Sequence, residues 1–239
     1  MKLIKNNRRK FVVDSGDSLQ RFYFSPSVYN RYMTSKKLIM KYCKGNALDI
    51  GCGDMSYRKF ILGTTDNYDG LDINKRSPDI KYLADIQNMP VVPSGKYDFA
   101  LCLEILEHVP EPSKAINEIY RVLNNNGIVV ISVPHLSRMH ELPHDYYRFT
   151  RFGLKFMLEN AGFKILELFP RSGLFSFLGH QISTILIGLT WHIPIINKII
   201  FFLNKWIIVK GCLLLDNYTD KNNYFPLRHF CVAQKIKSI

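Results

Sequence analysis

The chain has 239 residues, 47% of them hydrophobic, which excludes a disordered polypeptide and suits one α/β domain with an appendage. A formal net charge of +12 favours anionic partners (nucleic acid, acidic lipid headgroups or phosphorylated substrates) without choosing among them. The five cysteines, Cys43, Cys52, Cys102, Cys212 and Cys231, are scattered and contain no CxxC pair, which excludes a disulfide framework and a cysteine metal site and predicts reduced thiols in a cytosolic setting.

Residues 1–25 read as irregular, with Arg8-Arg9-Lys10 as a solvated basic tail or an electrostatic tether to anionic lipid. No long apolar run follows it, so no cleaved secretory signal is expected. Val28, Tyr32, Leu38, Ile39 and Tyr42 predict a helix over 27–42 that stops at Gly45 and Asn46. A strand is expected at 47–50, a helix at 57–62, and strands at 68–71 and 81–84. The near-continuous apolar run 97–103 suits a central parallel strand. Ala115, Ile116, Ile119, Tyr120, Val122 and Leu123 predict a helix over 113–123, followed by a strand at 128–133 that Pro134 ends. Thr150 caps a predicted helix over 151–160, with Gly162 just past its end, and a strand follows at 163–169. A last strand, antiparallel in this reading, lies within 224–235. This alternation predicts an α/β fold with a doubly wound, mostly parallel, seven-stranded Rossmann-like sheet. Its parts are an N-terminal tail and helix (1–45), a ligand-binding core (46–173), an apolar helical insertion (174–215) and a closing strand (216–239).

The densest signal is Asp49-Ile50-Gly51-Cys52-Gly53, where a buried strand runs into a G-x-G turn. Glycine there permits positive φ and lets a ligand lie against the backbone. Asp72 closes the next strand about twenty residues on, where nucleoside-binding α/β units place a carboxylate for ribose. The D-I-G-C-G at 49–53, G-L-D at 70–72, A-D-I at 84–86, L-E-I-L-E-H-V at 103–109 and E-I-Y-R-V-L-N-N-N-G at 118–127 follow in order. Together they resemble a class I S-adenosylmethionine-dependent methyltransferase of the type 11-like group, over about residues 44–169. The resemblance implies S-adenosylmethionine as cofactor and S-adenosylhomocysteine as product. It also implies that Gly51 and Gly53 let the methionine moiety pass and that Asp49 meets the ligand's amino group. Asp72, with Ile73 beside it, would accept from the ribose hydroxyls, and Asp85 from the adenine amine with the Ile86 N–H facing the ring. Leu103 and Glu104 would border the ligand at the end of the fourth strand, although Glu104 could instead hold the loop. His108 reads as a loop-packing histidine. The family's frequent third glycine is replaced here by Met55.

The loop 134–150 concentrates histidines, acids, tyrosines and arginines. It holds a literal H-E-x-x-H at 140–144, but Pro143 is incompatible with the continuous helix a zinc protease needs, and no metal ligands are expected. As an active-site loop it offers His144 as general base, with Asp145 or Glu141 orienting it, and His140 as second candidate. Arg138 and Arg148, with Tyr146, would hold the acceptor, the arginines through a phosphate or carboxylate. The competing reading is that these residues pin the loop. Its H-D-Y-Y-R-F-T string resembles methyltransferase-like proteins associated with bacterial surface-glycan and lipid-linked sugar pathways.

Between Arg171 and Asp216 there is no acidic residue. Two apolar stretches, 182–193 and 195–209, are separated by Pro194, and each falls short of the roughly 20 residues of a spanning helix. Asn197, Lys198, Asn204 and Lys205 would form a narrow polar stripe suited to a membrane interface; an insertion that caps the core or forms a dimer interface is the alternative. The expected function is O-methylation of a sugar or a lipid-linked or phosphorylated glycan intermediate, at the inner face of the membrane and on its cytoplasmic side. Methylation of an isoprenoid quinone or another lipid is the enzymatic alternative, and a non-catalytic membrane or partner-binding module is the alternative of another class. Nucleic acid is disfavoured as a partner, because Leu103-Glu104-Ile105-Leu106 stands where many nucleic-acid amino methylases carry an N/D-P-P-Y/F motif. The oligomeric state is left open.

Overall fold

The computed structural model describes residues 2–16, 18–65, 67–220 and 224–236. The chain forms two compact units, one of residues 35–170 and 228–239, the other of residues 1–34 and 171–227.

The first unit is built on a seven-stranded sheet of β1 (Asn46–Ile50), β2 (Asn67–Asp72), β3 (Tyr82–Leu83), β4 (Tyr97–Leu103), β5 (Leu123–Pro134), β6 (Phe163–Arg171) and β7 (Arg228–Lys235), in the order β3-β2-β1-β4-β5-β7-β6. The strands β1 to β5 pair in parallel, and β7 runs antiparallel to β5. Alternation along each strand feeds two cores. Leu48, Ile50, Ala100, Cys102, Val129, Ile131, Cys231 and Ala233 enter one. Ala47, Phe99, Leu101, Val130, Phe230 and Val232 enter the other. The strands are apolar on both faces because helices cover both. Helices α4 (Pro112–Val122) and α5 (Arg151–Asn160) close the first core with Ile116, Ile119, Leu154 and Leu158. The second is closed by Leu38 and Ile39 from the C-terminal half of α2 (Pro26–Tyr42) and Ile61 from α3 (Arg58–Leu62). Thr150 caps α5 as expected, its Oγ1 accepting from the Gly153 N–H at 3.0 Å.

In the second unit the expected irregular N-terminus is instead helix α1 (Lys2–Ser15), and residues Leu19–Phe24 form a 3-10 helix. The buried residues of α1 are Asn7, Phe11 and Ser15, a helical spacing hidden by two polar members. Phe11 packs with Phe24 and Ile187, while Asn7 Nδ2 donates to the Gly188 carbonyl at 2.8 Å. Gly188 and Ile187 belong to α6 (Leu174–Thr190), after which come α7 (Ile196–Leu203), a π-helical turn (Asn204–Val209) and α8 (Lys210–Thr219). The buried Asp216 carboxylate accepts from the N–H groups of Gly173, Phe175 and Ser176 at 3.0, 2.8 and 3.1 Å, satisfying the start of α6.

Of the polar stripe expected on the apolar helices, the two asparagines turn inward, while Lys198 is exposed and Lys205 half-buried. Asn204 is fully buried and donates from Nδ2 to the Tyr23 and Phe24 carbonyls at 2.8 and 3.2 Å. Asn197 donates to the Trp191 carbonyl at 3.2 Å. Ile196, Ile199, Phe202, Leu203, Trp206 and Ile207 are among the exposed side chains. No helix among the described residues is long and apolar enough to cross a membrane.

Candidate functional site

Open parallel sheets leave ligand-binding groups at the carboxyl ends of their strands, where the strand order reverses. Here the reversal falls between β1 and β4, and the register sets Ile50 beside Leu71 and Cys102, and Asp72 beside Leu83. Asp49, Asp72, Asp85, Leu103 and Glu104 thus occupy successive strand ends along one edge.

The turn after β1 is held from β2, since the N–H groups of Gly51 and Cys52 both donate to the Leu71 carbonyl, at 2.8 and 3.0 Å. Gly51 has φ +68°, and a Cβ there would stand 2.2 Å from Ile105 Cδ1. Gly53 has φ +56°, and a Cβ there would meet no atom within 4 Å. Backbone is therefore laid bare at Gly53. Met55 also lies in the left-handed region, at φ +58°, a conformation costing a non-glycine residue about 1–3 kcal/mol. Its buried side chain packs with Cys52, Ile80 and Tyr68.

Asp72 accepts from the Gly53 N–H through Oδ2 and from the Asn74 N–H through Oδ1, both at 2.9 Å. An ionised carboxylate offers about four lone pairs, so two remain for hydroxyl groups. Ile73 next to it is exposed. The Asp72 carbonyl receives the Ala84 N–H at 3.2 Å, which brings Asp85 alongside. Asp85 Oδ1 accepts from the Gln87 N–H at 2.8 Å, while the Ile86 side chain lies in the core. Asp49 is buried and accepts from the Tyr68 hydroxyl at 2.9 Å; burial pushes its carboxyl up from 3.8 to about 7. Bared backbone flanked by carboxylates fits a nucleoside ligand with hydroxyl and amino groups. Glu104 has φ +57°; its Oε1 accepts from the Ser132 hydroxyl at 2.9 Å and lies 3.6 Å from Arg228 Nε. Leu103 packs against the second core.

A second cluster forms where the loop after β5 crosses the 3-10 turn Leu106–His108. The N–H groups of Tyr146 and Tyr147 donate to the Glu107 carbonyl, and the Phe149 N–H to that of Pro134. Arg148 pins the loop, because all five of its N–H bonds are donated: two to the Asp145 carboxylate and the others to the carbonyls of Ser137, Arg138 and Tyr147. Arg148 holds the Asp145 carboxyl low, at about 2. Asp145 also accepts from the His140 N–H at 2.8 Å. Asp145 thus serves Arg148 and His140; His144 is exposed, with its Nδ1 3.2 Å from the Tyr146 hydroxyl. Residues 140–144 form no helix, with a turn at Leu142 and Pro143. Burial lowers the pKa of both His140 and Arg138.

The residue that sequence reasoning left without a role is Glu107. Its carboxylate is fully buried, 3.6 Å from His108 Nε2 and 4.0 Å from His140 Nε2. The adjacent acid and histidine just past a strand end were the available signal, but His140 lies far along the chain.

Residues 28–168, more than half of the chain, match a methyltransferase domain. A ubiquinone biosynthesis O-methyltransferase of Burkholderia vietnamiensis is 26% identical over 136 residues, spanning 44% of this chain and 58% of that relative. The chain therefore spans less than two thirds of the curated relative's length. Among solved structures, the cyclase SpnF aligns with TM-score 0.58 at 19% identity, covering 86% of this chain and 82% of its own. A Galdieria sulphuraria protein described as a putative sarcosine dimethylglycine methyltransferase aligns with TM-score 0.56 at 17% identity, covering 88% of this chain and 86% of its own. At these identities the structures share the fold.

The raised pKa of Asp49 has a consequence for stability. Between its unfolded value near 3.8 and its folded value of about 7, the folded chain holds a proton that the unfolded chain has released. Stability therefore falls as pH rises through that window. Urea unfolding of the ligand-free chain from pH 4 to 7 is expected to show this fall, and Asp49→Asn to flatten it. An identical slope in the variant would contradict the assignment.

Proposed function

The chain belongs to the methyltransferase-domain family with the class I fold, whose members use S-adenosylmethionine and release S-adenosylhomocysteine, and on that premise we propose that it methylates a hydroxyl oxygen of a lipid-borne acceptor. The observation that carries the donor half is the Asp72 carboxylate, which holds the bared Gly53 turn and keeps lone pairs for two hydroxyl groups. When bound, S-adenosylmethionine supplies an activated methyl group on a sulfonium. Asp72 accepts from the ribose hydroxyls, Asp85 from the adenine amine, and Asp49 meets the amino group, ionising as it does so. The cluster of Glu107, His108 and His140 faces the acceptor at the ends of β4 and β5 and receives the hydroxyl. Of the residues singled out for catalysis, His140 carries this role, Asp145 positions it, and His144 stands at the loop surface. Arg138 is left to hold an acidic group of the acceptor, since Arg148 has every donor engaged.

Two observations favour an isoprenoid quinone or similar lipid as acceptor: the names of the curated relatives, and the exposed apolar side chains of α6 to α8. Those side chains, with Lys210 set 3.6 Å over the Trp206 ring and Lys205 beside it, suit an anionic lipid surface. A sugar acceptor is the second reading, favoured by the exposed neighbouring rings of Tyr146 and Tyr147.

Calorimetric titration with S-adenosylhomocysteine is expected to give Asp72→Ala an affinity loss of about 1–3 kcal/mol, roughly 5- to 150-fold. Unchanged affinity would remove the ribose assignment. Incubating the chain with methyl-labelled S-adenosylmethionine and bacterial membrane extract is expected to place label in the quinone fraction. Label in lipid-linked sugars would favour the second reading, and none in either would contradict both. Vesicles containing phosphatidylglycerol are expected to sediment the chain, and Phe202→Ser with Trp206→Ser to weaken this at least tenfold. Equal sedimentation of the variant would remove the membrane surface.

A further inference from the structure

We propose that Glu107, His108 and His140 form a site for one divalent transition-metal cation of the size of Zn²⁺, with open positions for an oxygen of the acceptor. The role given to the open positions rests on the methyl-transfer reading; the cation site does not.

The ligand atoms of these three residues all lie within 4.8 Å of one another. Glu107 Oε1 is 3.6 Å from His108 Nε2 and 4.0 Å from His140 Nε2, and the two imidazoles meet edge to face with centroids 4.8 Å apart. Ligands around a tetrahedral zinc ion stand about 3.3 Å apart, given bonds near 2.0–2.2 Å. The cluster needs to contract by less than about 1.5 Å to reach that spacing.

The protonation pattern points the same way. His108 Nδ1 lies 2.6 Å from the His144 carbonyl, and His140 Nδ1 lies 3.1 Å from the Arg138 carbonyl. A carbonyl only accepts, so in each neutral ring Nδ1 carries the hydrogen and Nε2 presents a bare lone pair. Both Nε2 atoms lie within 4.0 Å of Glu107 Oε1. Two ring nitrogens and one carboxylate oxygen of the buried Glu107 thus form a set of three ligand atoms of the kind that a cation draws together. Ring N–H groups anchored on backbone carbonyls are the usual second layer of a metal site, where they fix both tautomer and orientation.

This second layer is itself fixed. Arg148 donates to the Arg138 carbonyl at 2.9 Å, and Asp145 receives the His140 N–H. Two imidazoles and one carboxylate suit borderline transition metals and not Ca²⁺ or Mg²⁺, which prefer oxygen ligands. The H-E-x-x-H string contributes only His140, as His144 supplies a carbonyl and not its ring.

Three protein ligands leave positions open, as catalytic metal sites do. An acceptor hydroxyl entering one of them loses its proton to water more readily. Its oxygen lone pair then forms the C–O bond as the donor's C–S bond breaks, and S-adenosylhomocysteine leaves with the electron pair of that bond on sulfur.

The test is titration of the full chain, first stripped with chelator, with Co²⁺ alone followed by visible absorption, and with Zn²⁺ as competitor. One equivalent of Co²⁺ is expected to bind, displaced by Zn²⁺, and Glu107→Gln and His140→Ala each to weaken binding at least tenfold. His108→Ala, whose ring is half-buried, decides the matter if the Glu107→Gln chain does not fold. S-adenosylhomocysteine affinity measured on the same samples reports folding and separates the two readings. Full S-adenosylhomocysteine binding with no Co²⁺ bound, or with equal Co²⁺ binding by all variants, would overturn the cation site and leave methyl transfer standing. Co²⁺ binding without S-adenosylhomocysteine binding would do the reverse.

Discussion

The carboxylate of Asp72 ties the site together. It accepts from the Gly53 N–H on the first turn and from the Asn74 N–H on the second. The Leu71 carbonyl just before it receives the N–H groups of Gly51 and Cys52. A sheet buried on both faces has no room for function along its strands, so reactive groups gather where the strands end. The turn after β1 is bare only because its conformation is held from β2. Met55 tolerates positive φ where the family often has glycine, because its side chain is buried against Cys52, Ile80 and Tyr68.

The same logic governs the loop after β5. Its acidic and basic groups first satisfy one another, with Arg148 spending every donor on Asp145 and three carbonyls. This internal pinning presents His140 to Glu107 and His108 with its ring already oriented. A loop rich in charged residues thus reads as a substrate clamp in sequence, while in the fold most of that charge builds the scaffold for a small cluster.

The sheet was legible because its physics is local. Near-continuous apolar runs such as 97–103 and 128–133, a glycine turn after a strand, and Thr150 before an apolar helix each act within a few residues. Helix α1 was hidden because the positions it buries are Asn7, Phe11 and Ser15, of which only one is apolar. The stripe of Asn197, Lys198, Asn204 and Lys205 was read outward, on the rule that polar groups face water, and Lys198 does face it. Here Asn204 faces inward because the Tyr23 and Phe24 carbonyls need its amide, and Phe202 and Trp206 face out. The meeting of Glu107, His108 and His140 depends on how the β5 loop folds back, which no local pattern encodes.

The central claim is that the strand ends β1, β2 and β3 form the donor site, with Asp72 on the ribose. The most direct test is a crystal structure of the chain with S-adenosylhomocysteine. The account predicts both ribose hydroxyls within hydrogen-bond distance of the Asp72 carboxylate and the amino-acid moiety lying over Gly51 and Gly53. A ligand bound elsewhere, or a ribose turned away from Asp72, would contradict it.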